Sequence, residues 1–347
     1  MTDFYETGKK LLFRLDPETA HELAAWTLQR IEGFPPLVSA IERRYSPRVK
    51  PVGLWGLEFS SKVGLAAGFD KNAEMVEALS ALGFGFVEVG TVTLRPQKGN
   101  PKPRLFRYPA ERALINRMGF NNDGAAVVAG RLRRLVERRE TAVKRPVPLF
   151  VNIGKNRDVE SQDAPAAYAA CYEILGPWAD AVVVNVSSPN TPNLRDLQRP
   201  GHLREILESM RNVKKSLSFA GAGDHPILVK IAPDLHPEEV EGIAQVCREL
   251  ADGMVATNTT LDHRPISRES DQQGGLSGAP LFESSTAVLA QLRRLAGESY
   301  PLIGVGGIDS AEAARAKLAA GADLIQVYTG FIYRGPRFAR LLGEAIA

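Results

Sequence analysis

The chain has 347 residues, 44% hydrophobic and 24% charged, with a formal net charge of +3. That composition supports a large core and excludes a disordered chain. The charge surplus is too small for nucleic-acid binding, and no basic stretch is interleaved with aromatics. The two cysteines, Cys171 and Cys247, lack CxxC spacing and an adjacent histidine. Buried thiols in a reducing compartment are therefore expected, with no metal site. No apolar run reaches the length of a membrane-spanning helix, and no secretory signal is read at the N-terminus.

Residues 1–45 read as a separate helical segment. Phe4, Gly8, Leu11, Leu12 and Leu15 share one helical face. Asp16-Pro17 is a helix start, with Asp as N-cap and Pro at N1. Ala20, Leu23, Ala24, Thr27, Leu28 and Ile31 line a second helix that stops near Gly33 and Pro35-Pro36. A third piece carries Leu37, Val38 and Ile41. Such helices either plug a barrel end or lie on a membrane surface, with Lys9, Lys10, Arg14, Arg43 and Arg44 at the headgroups. Nearby acids almost cancel this charge, so the residues alone favour the plug.

Residues 46–347 read as one α/β domain. Apolar runs over 62–68, 86–92, 149–154, 181–187, 227–232, 253–259, 302–307 and 324–329 alternate with helical patterns. Those patterns fall near 73–82, 122–138, 163–176, 201–217, 237–250, 281–296, 310–320 and 335–345. Eight strand–helix units with strands buried on both faces indicate a (β/α)8 TIM barrel. A doubly wound sheet would need a GxGxxG turn after its first strand, and Gly64-Leu-Ala-Ala-Gly68 is not one. Three connections, 93–121, 188–200 and 260–280, are long enough to be functional.

The strand ends concentrate polar residues: Asp70 and Lys71, Thr91, Asn152, Asn185 with Ser188 and Asn190, Lys230, Asn258 with Thr259, and Tyr328 with Thr329. In a barrel they meet at the C-terminal mouth, where barrel active sites lie. Gly304–Gly307 and Tyr328-Thr329-Gly330 follow strands seven and eight, the phosphate seat of this fold, and Gly274–Gly278 adds a glycine loop. Asn116, Asn185, Asn190 and Asn258 offer donors and acceptors that suit a pyrimidine-like ring. Lys71 suits a substrate carboxylate. Lys230 suits a charged cofactor ring, a Schiff base or a structural ion pair, and the residues alone leave these open. Trp26 and Trp55 read as packing residues. His202, His225, His236 and His263 read as solvated, and Arg131, Arg133, Arg134, Arg138 and Arg139 as a wet helix face.

As an ordered set these stretches resemble the quinone-dependent class 2 dihydroorotate dehydrogenases. The matching pieces include Leu15-Asp-Pro-Glu18 with His21, Gly64-Leu-Ala-Ala-Gly-Phe-Asp-Lys71 and Asn100-Pro-Lys-Pro-Arg-Leu-Phe-Arg107. They continue with Ile115-Asn-Arg-Met-Gly-Phe-Asn-Asn122, Asn185-Val-Ser-Ser-Pro-Asn-Thr-Pro192 and Ile303-Gly-Val-Gly-Gly-Ile-Asp-Ser310. The resemblance implies FMN-dependent oxidation of dihydroorotate to orotate in pyrimidine synthesis, with a membrane quinone as co-substrate. It places FMN on Ala67, Gly68, Thr91, Asn152, Asn185, Lys230, Thr257, Gly278, Gly307, Tyr328 and Thr329. It places substrate on Lys71, Asn116, Arg117, Met118, Gly119, Phe120, Asn185, Asn190, Asn258 and Thr259. Ser188 matches the catalytic base, where class 1 enzymes carry Cys. His21 and Arg107 match the quinone end. By the same resemblance residues 1–45 become a quinone tunnel and membrane foot, and a monomer peripheral to the cytoplasmic face of the cell membrane is expected. The rivals are a class 1 enzyme using fumarate or NAD, another FMN barrel reductase, a flavin-free Schiff-base lyase and a non-catalytic scaffold.

Overall fold

The computed structural model describes residues 4–140, 147–219, 224–266 and 272–347. Part of the expected 260–280 connection, residues 267–271, lies outside the described residues, as does the Phe4 side chain. Eight parallel strands close a barrel. They are β1 Val63–Leu65, β2 Phe86–Val92, β3 Leu149–Ile153, β4 Ala181–Asn185, β5 Ile227–Ile231, β6 Gly253–Ala256, β7 Leu302–Val305 and β8 Leu324–Val327. Each pairs with its sequence neighbours, and β8 closes on β1. Helices α1 Phe4–Leu12, α2 Pro17–Glu32 and α3 Pro35–Tyr45 precede the barrel. Around it run α4 Val76–Ser80, α5 Ala125–Glu140, α6 Ala164–Leu175, α7 Pro200–Phe219, α8 Pro237–Leu250 and α9 Phe282–Ala296. After β7 come α10 Ala311–Ala319, then α11 Thr329–Arg334 and α12 Phe338–Ala345.

The strands are apolar because both faces are covered. Outward residues such as Val87, Val151, Val182, Val229 and Ile325 are buried under the helices. Inward residues Phe86, Phe150, Val183, Leu228 and Ile303 fill the lower barrel. Gly64 is required there, because a Cβ would lie 2.3 Å from the Phe86 ring. All but β2 end earlier than the apolar runs suggest, and after β1, β6, β7 and β8 the residues that leave the sheet line the mouth.

Two elements escaped the sequence. A hairpin, Val52–Leu54 with Leu57–Phe59, plugs the lower end of the barrel. Its turn residue Trp55 donates Nε1–H to Asp252 O at 2.8 Å and packs edge-on to Phe59 and Phe150. The N-terminal helices therefore do not plug the barrel; α2 packs on α4 and on the mouth-side strand 105–108. That strand, Leu105–Tyr108, joins Ala113–Asn116 and Gly275–Gly278 in an antiparallel sheet. Two stretches expected as loops, including the glycine run 274–278, are thus partly strand.

Several side chains correct the sequence reading. Trp26 is 55% exposed, with Arg30 over its ring, and is not a packing residue. His225 is buried, not solvated: Tyr172 Oη lies 2.9 Å from its Nε2, and burial pushes its pKa down to about 4. Arg133, Arg134 and Arg138 are exposed as expected. Arg131 and Arg139 are half-buried instead, held by Asp123 and Glu77. Trp55 does pack, as expected.

Candidate active site at the barrel mouth

The C-terminal ends of the strands surround one cavity. Ala67, Gly68, Thr91, Asn185, Lys230, Thr257, Gly278, Gly307, Tyr328 and Thr329 line it. So do Lys71, Asn116, Met118, Gly119, Phe120, Ser188, Asn258 and Thr259. Three expected site residues do not. Asn152 lies one layer below, accepting from Thr91 Oγ1 at 2.6 Å. Asn190 stands behind Asn116, donating Nδ2–H to its Oδ1 at 3.1 Å. Arg117 points its guanidinium outward, to Gln272 Oε1 and Pro103 O and onto the Phe106 ring, so its side chain does not face the cavity.

A buried polar network supports the floor. Between Val89 and Val92 the register of β2 on β3 shifts, an irregularity that accompanies the turn of Thr91 into the barrel. Asn185 Nδ2 donates to Thr91 Oγ1 at 3.0 Å and Asn152 Oδ1 at 3.2 Å. Asn185 Oδ1 accepts from Ser187 N, Ser187 Oγ and Asn258 Nδ2. Below, the fully buried Glu88 carboxylate accepts from Asn152 Nδ2 at 2.6 Å and from Gln326 Nε2. Glu88 and Gln326 were missed in the sequence, yet each is a polar residue inside an otherwise apolar run, Gln326 alone in its strand. Satisfied networks of this kind rigidify a site. Gln326 Oε1, at the cavity wall, is buried without a partner among the described residues.

Lys71 is fixed by its neighbour. The buried Asp70 carboxylate accepts from the backbone N–H of Asn72, Glu74 and Met75 and so pins the turn before α4. Burial pulls the Lys71 ammonium down to about 8, partly opposed by Glu18, and it is charged at pH 7. Asn190 N donates to Ser188 Oγ at 3.3 Å, which orients that hydroxyl, and Ser188 is buried. The Thr191 hydroxyl is buried without a partner among the described residues.

A second cavity, about 500 Å³ and mostly apolar, lies under α1 and α2. Leu12, Ala24, Leu28, Ile31 and Phe331 line it, with His21 and Arg107 as polar groups. Tyr328 lines both cavities. Phe69 lines the second cavity, edge-on to His21 at 5.0 Å and to Tyr328 at 6.1 Å. Arg107 stacks 4.2 Å from the Phe13 ring centroid and donates to Phe13 O, while its Nε is buried without a partner among the described residues.

Lost hydration, with the Lys71 charge adding to it, holds the His21 imidazole down at about 3. The folded state then refuses a proton that the unfolded chain accepts below about 6.5. Stability contributed by neutral His21 is therefore complete above about pH 6.5 and falls as pH drops toward 3. The expected slope is at most about 1.4 kcal/mol per pH unit. His21→Asn should remove that slope in urea unfolding between pH 6.5 and 4. An unchanged pH dependence in the variant would refute the assignment.

Comparison with known proteins agrees with this geometry. Residues 50–347 match the family model described as dihydroorotate dehydrogenase. The chain belongs to the dihydroorotate dehydrogenase family. It is 47% identical to the "Dihydroorotate dehydrogenase (quinone)" of Stenotrophomonas maltophilia strain R551-3, over 99% of this chain and 95% of that protein. It is 48% identical to the protein so named in Polaromonas naphthalenivorans, over 96% and 95%. The ligand-free crystal structure of DHODH from Eimeria tenella superposes with a TM-score of 0.86 at 40% identity, covering 95% of this chain and 94% of that one. A DHODH structure from the same organism in complex with ferulenol gives 0.84 at 38%, covering 95% and 90%. Both the barrel and the family resemblance read in the sequence are therefore borne out.

Proposed function

We propose that this member of the dihydroorotate dehydrogenase family oxidises dihydroorotate to orotate with FMN in the mouth cavity and a quinone in the apolar cavity. The observation that carries the reading is Tyr328, which lines both the mouth cavity, with its lysines and asparagines, and the apolar cavity, where Phe69 packs edge-on to it. A polar substrate and an apolar electron acceptor thus approach one centre from opposite sides. The residues fit the cofactor: Gln326 Oε1 is an unfilled acceptor at the wall, and Lys230 lines the cavity without an ion pair among the described residues. FMN would rest on Ala67, Gly68, Thr91, Asn185 and Thr257, with its phosphate at Gly278, Gly307, Tyr328 and Thr329. When bound, it would supply the redox chemistry, as acceptor of the C6 hydride and donor of electrons to the quinone.

The chain's own residues bind, orient and move the proton. The Lys71 ammonium neutralises the substrate carboxylate, while Asn116, Asn185 and Asn258 present amides to the ring. Asn190 acts behind Asn116 and sets its amide orientation. Ser188 Oγ takes the C5 proton. A serine is a weak base, so it passes its own hydrogen on as it accepts. The Thr191 hydroxyl, three residues on and without a partner among the described residues, would relay it, directly or through water. Burial of the site keeps the reacting centre from bulk water.

A peripheral seat at the membrane, on its cytoplasmic face, belongs to the same reading. Apolar residues exposed on the N-terminal helical segment, Leu11, Leu23, Trp26, Phe34 and Leu37, support the membrane contact. Among the described residues no helix is long and apolar enough to cross a membrane. His21 and the buried Arg107 Nε would meet the quinone's oxygens. Ala24→Trp, which fills this cavity, should cut turnover with a quinone analogue at least about 10-fold, the scale of a lost binding contact. Reduction of the bound cofactor by dihydroorotate should be unchanged. Equal loss in both half-reactions would put the acceptor elsewhere.

The test of the whole reading is dihydroorotate oxidation by purified protein with a soluble quinone analogue. Yellow protein carrying one FMN per chain and quinone-dependent orotate formation are expected. Colourless protein would favour the Schiff-base lyase at Lys230; turnover with fumarate or NAD but not quinone would favour the class 1 activity.

A further inference from the structure

Lys317 on α10 is a fully buried cation with no anion against it among the described residues. Its Nζ donates to Ser285 Oγ at 2.6 Å, reaches Val305 O at 3.4 Å and lies 5.5 Å from the Phe282 ring centroid. The nearby Arg293–Asp323 pair compensates itself at 2.9 Å. An ammonium in such surroundings is costly, and burial alone lowers its pKa to about 7.

Its contacts lead to one place. Ser285 Oγ also bonds Gly306 O at 3.1 Å and Leu281 O at 2.7 Å. Leu281, Val305, Gly306 and Gly307 all line the mouth cavity. Gly307 presses on the start of α9, where a Cβ would lie 2.3 Å from Phe282 Cα, and its φ is +75°. Lys317 thus stands directly behind the turn that follows β7. A trans peptide points its N–H opposite to its C=O. Val305 O accepts from Thr257 N at 3.0 Å and also lies 3.4 Å from Lys317 Nζ. Gly306 O faces Ser285, so the Gly307 N–H points away from Ser285. The Gly306–Gly307 peptide therefore turns its negative end to Ser285, on a turn that lines the cavity.

We propose that Lys317 is the buried counter-cation of the flavin phosphate, a positioning residue that acts through Ser285 and the Gly306–Gly307 peptide. The proposal rests on the FMN reading and goes beyond it. Loops after strands seven and eight are the phosphate seat of this barrel, and their amide donors need the orientation that Lys317 and Ser285 impose. The low dielectric around Lys317 carries its charge to the phosphate with little screening. No proton or bond is exchanged; the lysine binds a dianion at second hand.

The test uses FMN-loaded parent, Lys317→Met and Ser285→Ala proteins. Flavin release after dilution is followed by free-flavin fluorescence, and the bound phosphate is titrated by 31P NMR from pH 5 to 8. In the parent the phosphate should stay dianionic well below the free second pKa of about 6. In Lys317→Met release should quicken at least about 10-fold, equivalent to about 1.4 kcal/mol. The phosphate pKa should rise by about one unit while the visible spectrum of the ring is unchanged. Ser285→Ala, which keeps the cation but cuts the link, should show a smaller change in the same direction. Faster release with an unaltered phosphate titration would make Lys317 a packing residue and overturn the proposal. If Lys317→Met does not fold, a parent phosphate that titrates near 6, or an Ser285→Ala protein identical to the parent, overturns it. Parent protein without a phosphorus-bearing flavin would instead overturn the FMN reading and this proposal with it.

Discussion

Ser188→Ala slows reduction of the bound cofactor by dihydroorotate by about 10² to 10⁴-fold, the range for loss of a general base. Ser188 is buried at the end of β4, and the Asn190 N–H donates into its oxygen at 3.3 Å. That bond turns the hydroxyl hydrogen away from Asn190 and leaves it free to be handed on. Stopped-flow absorbance at the flavin band reads the step directly, and reoxidation by quinone should be unaffected. Ser188→Cys should retain more activity at high pH than Ser188→Ala, because a thiol ionises near 8.5. A Ser188→Ala protein with an unchanged reductive rate would remove Ser188 from the role. Thr191→Val should give a smaller loss, since water can take over a relay but not the first acceptance.

Arg104→Met destabilises the folded chain by up to about 3–5 kcal/mol, the cost of stripping a buried charge of its buried partner, since only the exposed Lys102, 3.5 Å away, then pairs with Glu18. Arg104 Nη2 meets Glu18 Oε1 at 2.8 Å, and both side chains are 8% exposed. The same guanidinium donates to Lys98 O at 2.8 Å and Asn100 O at 2.9 Å. It therefore ties α2 to the segment that carries Asn100, whose Nδ2 holds Arg117 O at 2.8 Å. Chemical denaturation measures the loss, and a higher KM for dihydroorotate should accompany it. The double variant Glu18→Leu, Arg104→Met should recover most of the stability, because a buried pair replaced by apolar groups costs little. Burial raises the Glu18 carboxyl, but Arg104 and Lys102 outweigh it and hold the group below the usual range. Its contribution is thus present above about pH 4.5 and is lost as pH falls through the lowered folded value. A cost below about 1 kcal/mol for Arg104→Met would mean that water reaches the pair.

The helix start at Asp16-Pro17 was legible because capping is local: Asp16 Oδ1 accepts from Glu18 N and Thr19 N within three residues. The hairpin at Val52–Phe59 was not, because a three-residue strand carries too short a pattern. Nor was the sheet that joins Ala113–Asn116 to Gly275–Gly278, whose strands lie far apart in the chain. Trp26 and His225 failed for a related reason. Hydrophobicity and residue type say nothing about which face of an element meets a neighbour that lies elsewhere in the sequence.

By itself the sequence determined the barrel, its strands and the polar residues that end them, because a strand covered on both faces must be apolar until it leaves the sheet. The ordered motifs also determined the family. Tertiary structure alone decided where those polar side chains point. It sent Arg117 outward, lowered Asn152 beneath Thr91, paired Glu18 with Arg104 and set Lys317 behind the glycine turn. Each of these depends on closure of the barrel, which fixes side-chain direction through contacts that no local stretch of chain contains.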